Sequence, residues 1–193
     1  GRNMTIRGPG NNDLRVDIAL LGVPIRDWDR QVPAELTPAA IMEPVVDGEI
    51  VLSGFGRTAS IDTARRRMNI LGGDNDPRPG TYRAGTNIID AIDANHTVAA
   101  GARLGAQRWR FDAIRSDMDF IGAAGRETGA DAHMLNADSG GPTFQLIDRT
   151  WGLVGSHSES EEAMGGLITE GNRQWDVRLW NHRAWIRENC ANL

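Results

Sequence analysis

The chain has 193 residues, of which 40% are apolar, enough for one substantial hydrophobic core in a single domain or a closely joined pair. Its formal net charge is −5 and its basic residues are scattered, so a nucleic-acid-binding surface is not expected. No apolar run approaches the roughly 20 residues that span a bilayer, and the first residues lack the apolar core of a signal peptide.

The first part of the chain alternates between loop and strand patterns. Residues 1–13 are rich in Gly, Asn and Arg and predict a loop. The continuous apolar run over 16–23 predicts a strand that is buried on both faces. Prolines over residues 26–44 indicate an irregular crossover, and two β-rich runs around an Asp-Gly pair over residues 45–52 predict a hairpin.

The middle of the chain mixes one ambiguous pattern with clearer ones. Residues 61–72 fit either a helix with one apolar face or a strand. Residues 87–92 are strand-like, and the clean alternation over residues 108–113 predicts a half-buried strand. Residues 122–136 are rich in Gly and Ala and predict a loop.

The last third predicts a hairpin, a loop and a helix. Residues 142–147 and 150–156 are expected to pair as a hairpin, whereas the acidic stretch 159–173 predicts a loop. Asn181 suits the N-cap of a short amphipathic helix. Short strands separated by Gly and Pro, with one helix at the end, predict an all-β fold.

The stretch Ala137-Asp138-Ser139-Gly140-Gly141-Pro142 combines a nucleophile with turn-forming residues. The glycines let backbone and substrate approach closely, and the proline stiffens the exit into the next apolar run. A Ser-Gly-Gly turn is usually only a turn, so its interpretation depends on the rest of the chain.

Four other stretches accompany the serine: Asp17-Ile18-Ala19-Leu20-Leu21, Leu52-Ser53-Gly54-Phe55-Gly56-Arg57-Thr58, Gly152-Leu153-Val154-Gly155-Ser156-His157-Ser158 and Trp185-Ile186. Together they resemble, in family order, the trypsin/chymotrypsin-like serine peptidases. The resemblance implies two six-stranded antiparallel β-barrels and a short C-terminal helix, and it favours strand over residues 61–72. Residues 1–40 would be the remainder of an incomplete first barrel, and residues 41–193 the second barrel with the helix.

The resemblance implies that Ser139 is the nucleophile and Asp17 the orienting carboxylate. A serine hydroxyl is a weak nucleophile and needs a histidine base, whose tautomer the carboxylate fixes. The backbone N–H groups of Ser139 and Ala137 would form the oxyanion hole. The family has glycine where Ala137 stands, and the left-handed angles that a glycine adopts cost an alanine roughly 1–2 kcal/mol.

The resemblance also implies roles for four neighbours of the serine. Asp138 would receive the ammonium of an N-terminus released by activation cleavage, or, alternatively, would cap its own loop. Ser158 would bond the Asp17 carboxylate and align the substrate. His133 would lie at the base of the primary specificity pocket. His157 would line that pocket and meet an acidic substrate side chain, as in glutamate-specific members, unless it is a core or surface histidine.

The general base is missing from the resemblance. The family's histidine precedes its aspartate, whereas all four histidines of this chain follow Asp17. The chain therefore resembles the C-terminal product of a cut between the two. We expect an N-terminal chain of the same precursor to supply the histidine and the missing strands.

These features predict a secreted or periplasmic serine endopeptidase that is proteolytically processed into a heterodimer and forms an acyl-enzyme on peptide substrates. The single cysteine, Cys190, allows no internal disulfide, which points to a bacterial member. No cofactor is expected, and no metal, because the histidines lack metal-site spacing. The expected partners are the N-terminal chain and a peptide or protein substrate, without nucleic acid or membrane. The absent histidine and Ala137 favour the alternative, a catalytically inactive module that binds or regulates.

Overall fold

The computed structural model describes residues 14–15, 39–62, 64–71, 80–99, 108–120, 131–135, 137–161 and 167–190. Within these ranges the chain forms mostly antiparallel β-structure and ends in one short helix, which confirms the predicted all-β class and the C-terminal helix. The predicted strand over residues 16–23, with Asp17, lies outside the described residues, as do residues 1–13. No helix in the described ranges is long and apolar enough to span a membrane.

The strands and helices, in chain order, are β1 (Leu14–Arg15), β2 (Ala40–Ile41), β3 (Glu49–Gly54), β4 (Ala59–Asp62), β5 (Arg67–Ile70), β6 (Arg83–Ile88), β7 (Ala91–Ala99), β8 (Arg108–Asp117), β9 (Pro142–Ile147), β10 (Thr150–Ser160), β11 (Leu167–Thr169), β12 (Arg173–Arg178), a 3-10 turn (Leu179–His182) and α1 (Arg183–Cys190).

The larger sheet has the strand order β1-β8-β12-β10-β9-β3-β6, with β7 also paired to β8 and β2 to β10. Its ladders are antiparallel except for the short pairs β1–β8 and β2–β10. No ladder joins β6 to β8 among the described strands, so they do not close into a barrel. The Asn87 side chain of β6 nevertheless donates to the carbonyl of Asp117 at the end of β8, at 2.8 Å.

Alternation along the strands places the main hydrophobic core. Ile50 and Leu52 of β3 point to one face of the sheet, where they pack with Ile114 of β8 and Val154 of β10. Each of these side chains is at least 95% buried, and burying such a side chain stabilises a fold by about 1.5–3 kcal/mol. The core therefore lies where β3, β8 and β10 come together, directly beside the serine turn.

A second, three-stranded sheet has the order β11-β5-β4. It resolves the ambiguity over residues 61–72, because this stretch forms β4 and β5 rather than a helix, as the resemblance favoured. Met68 of β5 packs with Ile168 of β11 in a separate apolar cluster, while Arg66 at the β4–β5 turn pairs with Glu170.

Local turn chemistry accounts for one hairpin that was predicted correctly and one that was not. The hairpin of β9 and β10 is confirmed, and its turn residues Asp148 and Arg149 have φ of 48° and 64°, the pattern of a type I′ turn. The hairpin predicted over residues 45–52 is wrong. Val45 and Val46 are exposed and form no strand, and Asp47 instead donates its N–H to the carbonyl of Ile89.

Two predictions near the C-terminus also need correction. Residues 159–173 are not one loop, since β10 continues to Ser160 and β11 begins at Leu167. Asn181 does not cap α1, because it lies in the preceding 3-10 turn and its side chain bonds Asp112. The helix itself begins at Arg183.

Candidate active site

Ser139 occupies the exposed tip of a tight turn. A hydrogen bond of 2.8 Å from the N–H of Gly141 to the carbonyl of Asp138 closes the turn. Gly140, the third residue of this turn, has φ of 83°, which is the pattern of a type II turn and favours glycine there. The sequence therefore places the serine hydroxyl at the surface on a backbone of defined shape.

The serine turn is fixed to β10 by two backbone hydrogen bonds. The N–H of Gly140 donates to the carbonyl of His157, and the N–H of His157 donates to the carbonyl of Gly141, both at 2.9 Å. A Cβ on Gly141 would lie 2.5 Å from the His157 ring and 2.6 Å from the carbonyl oxygen of Ser53. Only glycine permits this close approach, so the turn rests directly on the sheet.

Ala137 adopts the backbone conformation that a glycine would favour. Its φ is 75°, in the left-handed region, which costs an alanine roughly 1–2 kcal/mol. The neighbouring bond from the N–H of Asp138 to the carbonyl of Leu135, at 3.0 Å, holds this part of the chain in place. The chain therefore holds a left-handed backbone conformation at this position with an alanine.

The Asp138 carboxylate is held by two backbone N–H groups that lie outside the serine turn. Its Oδ1 accepts from the N–H of Gly56 at 2.7 Å, and its Oδ2 accepts from the N–H of Leu135 at 3.0 Å. A Cβ on Gly54 would lie 2.0 Å from Oδ1, so the carboxylate is packed against bare backbone. The bond to Leu135 is the loop-capping role foreseen as the alternative, and the role in binding an ammonium stays a prediction.

His157 lies below the turn with both ring nitrogens hydrogen-bonded. The residue is 3% exposed, its Nδ1 lies 2.8 Å from Oδ1 of Asp176, and its Nε2 lies 3.1 Å from the carbonyl oxygen of Ser53. The hydroxyl of Thr143 donates to Oδ2 of the same Asp176 at 2.6 Å. Both partners are acceptors, so this geometry suits a ring that carries a proton on each nitrogen, an imidazolium.

Nearby negative charge favours the protonated form of this buried ring. Burial lowers the pKa of His157, but the hydrogen bond and charge of Asp176, the carbonyl of Ser53 and the charge of Asp138 together raise it above its ordinary value. Asp176 is 1% exposed, so the two residues form a buried ion pair. A substrate carboxylate at Nε2 would have to displace the Ser53 carbonyl, and the predicted substrate role of His157 stays a prediction.

His133 lies in the irregular segment before the serine. Two bonds hold this segment to the sheet: the N–H of Met134 donates to the side chain of Gln174 at 2.6 Å, and the N–H of Ala132 donates to the carbonyl of Thr86 at 2.7 Å. Burial lowers the pKa of His133 to about 4, although the backbone and charge of Glu161 act in the opposite direction. Its ring nitrogens are buried without a hydrogen-bond partner among the described residues, so the ring is neutral near pH 7.

A cavity of about 270 Å³ lies beneath the serine turn, between the loop after β3 and the segment with His133. Asp138, His133 and His157 all border it. Apolar side chains that include Leu52 and Leu135 form part of its wall. The cavity thus offers a carboxylate and a neutral imidazole within a partly apolar pocket.

The structure brings most of the predicted site residues together. Ser139, Asp138 and Ala137 share the turn, and His157 lies directly beneath it. Ser158 follows on β10, at the irregularity in its pairing with β12. Asp17 lies outside the described residues and its place relative to the serine stays a prediction.

Sequence reasoning missed Thr143 and Asp176, the two residues that hold His157. Thr143 lies in the apolar run after the serine, and Asp176 is a single acidic residue in β12. Neither belongs to a motif, and they meet only because β9 and β12 flank β10. The one signal in the sequence was an aspartate between two apolar residues, Trp175 and Val177. Such a carboxylate needs hydrogen-bond partners if it is buried, as Asp176 is.

The remaining histidines have other neighbours. His96 bonds Glu159 at 2.9 Å and stacks on Trp175, and the ring nitrogens of His182 are buried without a partner in the described ranges. Burial lowers the pKa of His182, and the charge of Asp112 opposes that shift. None of the four histidines is hydrogen-bonded to Ser139 in the part of the chain that the structure describes.

Two searches for further clues to the function of this site, one for a metal-binding cluster among the described residues and one for related proteins, returned nothing. The described residues contain no group of three or more His, Cys, Asp or Glu side chains placed to hold a metal ion. Comparison with models of known protein families finds no match, and comparison with curated proteins finds none either.

Proposed function

We propose that this chain is a serine endopeptidase of trypsin-like architecture, with Ser139 as its nucleophile. One observation carries the proposal: an exposed serine stands on a type II turn that two backbone hydrogen bonds fix to β10. An ordinary surface turn needs no buried ion pair below it, whereas a nucleophile must be held in a reproducible position.

The proposed reaction is acyl transfer followed by hydrolysis. Ser139 Oγ attacks the peptide carbonyl while a histidine takes its proton, and Asp17 orients that histidine. The backbone N–H groups of Ser139 and Ala137 stabilise the oxyanion of the tetrahedral intermediate. Collapse releases the amine, which receives the proton from the histidine, and water then hydrolyses the ester to regenerate Ser139.

The histidine base is proposed to come from an N-terminal chain of the same precursor. The order of residues along the chain supports this, because the base of the resembled family precedes its aspartate and the four histidines here follow Asp17. The engagement of His96 with Glu159 and of His157 with Asp176 supports it further. The corresponding proposal for its source and location is a bacterial two-chain enzyme that is secreted or periplasmic.

The strand order is compatible with the two-barrel architecture. The path β8-β12-β10-β9-β3-β6 contains six strands, and the bond from Asn87 to Asp117 brings its two ends next to each other. Residues 41–193 would then form the second barrel with α1, and residues 1–40 the remainder of the first.

The cavity beside Asp138 is the proposed receptor for an N-terminus released by activation. Each carboxylate oxygen of Asp138 already accepts one backbone N–H and retains a lone pair for an ammonium. The apolar part of the cavity wall suits the apolar first residues that such an N-terminus carries in the resembled family.

The end of β10 is the proposed binding edge for the substrate backbone. The pairing of β10 with β9 ends at Ser156, whereas its pairing with β12 continues to Ser160. An extended peptide that adds along Glu159 and Ser160 would run beside the serine turn, as in other strand-addition complexes.

The test is an intact mass spectrum of the copurified protein before and after reaction with a fluorophosphonate. We expect a second, smaller chain and one adduct on Ser139, and no adduct on a Ser139→Ala variant. Unchanged labelling of that variant would contradict the assignment of the nucleophile.

The second candidate function is a trypsin-like module without catalysis that binds or regulates another protein. The left-handed conformation of Ala137, which is strained for an alanine, favours it, because loss of oxyanion-hole geometry removes a large part of the rate enhancement. A two-chain protein that is folded and never labelled would support this alternative.

A further inference from the structure

Three separate chain segments meet at the ring of His157, namely the end of β3, β12, and the serine turn with the start of β9. Its Nε2 bonds the carbonyl of Ser53 at the end of β3, and its Nδ1 bonds Asp176 of β12. The hydroxyl of Thr143 on β9 lies 3.3 Å from Nδ1, and the ring lies against Gly141 of the serine turn. A displacement of the ring would therefore move the turn that carries the nucleophile.

Resting on the proposed function, we propose that His157 is a positioning residue for the Ser139 turn, held as an imidazolium by Asp176, and that it does not bind the substrate side chain. Both ring protons are already used inside the protein. No donor remains for a substrate carboxylate. The resemblance implies the alternative role, in which His157 recognises an acidic substrate side chain. The experiments must distinguish that role from positioning of the turn.

The surrounding charges set the pH range over which His157 stays protonated on both ring nitrogens. Asp176 and Asp138 face the ring and favour its charged form. Asp131, Arg57 and Arg83 line the same cavity. A neutral ring would present a lone pair to either the Ser53 carbonyl or the Asp176 carboxylate, and the resulting repulsion would loosen the turn. Because the pKa of His157 is raised, this loss belongs to the alkaline side of the pH range.

The first experiment does not depend on catalysis. Long-range proton–nitrogen NMR spectra of the copurified protein report the protonation of each imidazole nitrogen during a pH titration. We expect both nitrogens of His157 to be protonated at pH 7 and one to lose its proton only at higher pH. A bare ring nitrogen at pH 7 would overturn the positioning role.

The second experiment measures the effect on Ser139 in the two-chain protein. In an Asp176→Asn variant we expect the fluorophosphonate reaction to slow about 100-fold, the scale of effect that a misplacement near 1 Å produces. The kcat for peptides should fall by a similar factor whether the residue before the cleaved bond is acidic or not. The alkaline limb of the activity profile should move to lower pH. A loss confined to the KM of acidic peptides would overturn the proposal and support substrate binding.

Thr143 supplies milder, matched variants. Thr143→Ser keeps the hydroxyl that bonds Asp176 and should leave the labelling rate within about twofold of the original protein. Thr143→Val removes that single bond and should slow labelling, a readout that is available even where Asp176→Asn fails to fold. Equal rates for the two Thr143 variants would contradict the role. A wild-type protein that never labels overturns the proposed function instead, whatever the NMR titration reports.

Discussion

Ala137 and His133 each adopt a state that their residue type does not favour. Ala137 has the positive φ of a glycine next to the nucleophile, and His133 has buried ring nitrogens without partners in the described ranges. Such local costs persist only where the surrounding structure fixes the chain, and they gather at functional sites. Here the backbone bonds of Asp138 and Met134 do the fixing.

Replacement of Ala137 by glycine should stabilise the protein by about 0.5–1 kcal/mol. Relief of the left-handed strain, roughly 1–2 kcal/mol, exceeds the extra chain entropy that a glycine brings to the unfolded state, about 0.4–1 kcal/mol. Urea denaturation measures the difference. Ala94→Gly is the matched control, because Ala94 is exposed on β7 without a positive φ and its replacement should destabilise.

His133 should make the protein less stable as the pH falls. Its folded pKa of about 4 lies below the ordinary histidine pKa of 6.5, so the unfolded chain binds the proton first as the solution is acidified. This contribution to stability is complete above pH 6.5 and declines by ~3 kcal/mol between pH 6.5 and pH 4, at about 1.4 kcal/mol per pH unit.

Unfolding midpoints across this pH range test the assignment. A His133→Leu variant should show a flatter acid limb than the original protein. A His96→Leu variant serves as the control. The His96 ring is hydrogen-bonded to Glu159 of β10, whereas the ring nitrogens of His133 are buried without a partner in the described ranges. An acid limb that is unchanged in His133→Leu would contradict the prediction.

Among the elements, the β9–β10 hairpin matters most for the site, since it carries the serine turn at one end. Its two-residue turn uses Asp148 and Arg149, both with positive φ, at the far end of the same strands. The type I′ turn forms here, but its geometry favours Asn-Gly over Asp-Arg, so the residues present are not the most stable choice for it.

A double variant, Asp148→Asn with Arg149→Gly, should therefore raise the free energy of unfolding by about 1 kcal/mol, while the labelling rate of Ser139 stays the same. Thermal unfolding and fluorophosphonate labelling on the same sample measure both quantities. Destabilisation by the double variant would show that the Arg149 side chain contributes more than its backbone strain costs.

At the scale of the whole molecule, local patterns predicted elements better than they predicted contacts. The alternation over residues 108–113 and the turn at Asp148 were sufficient for β8 and the β9–β10 hairpin, because both signals act within a few residues. The exposed pair Val45 and Val46 has the same β-rich composition, but it forms no strand since the neighbouring backbone bonds Ile89 instead.

The candidate site divides in the same way. The motif around Ser139 predicted the turn and its glycines, whereas the position of His157 near the serine was implied only by the resemblance. The hydrogen-bond partners of that histidine could not be predicted from the sequence, because Asp176 meets it only through the register of β10 against β12. Tertiary pairing of single polar residues leaves no periodic trace in a sequence.

The two backbone bonds that seat the serine turn on β10 have a consequence for its dynamics. The amide hydrogens of Gly140 and His157 are the donors in these bonds, and His157 also pairs with Asp176 of β12 in the larger sheet. Their exchange with solvent deuterium should require the sheet to open cooperatively, with protection close to that of the core strands. The hydroxyl of Ser139 would then react from one of the slowest-opening parts of the molecule, even though it lies at the surface.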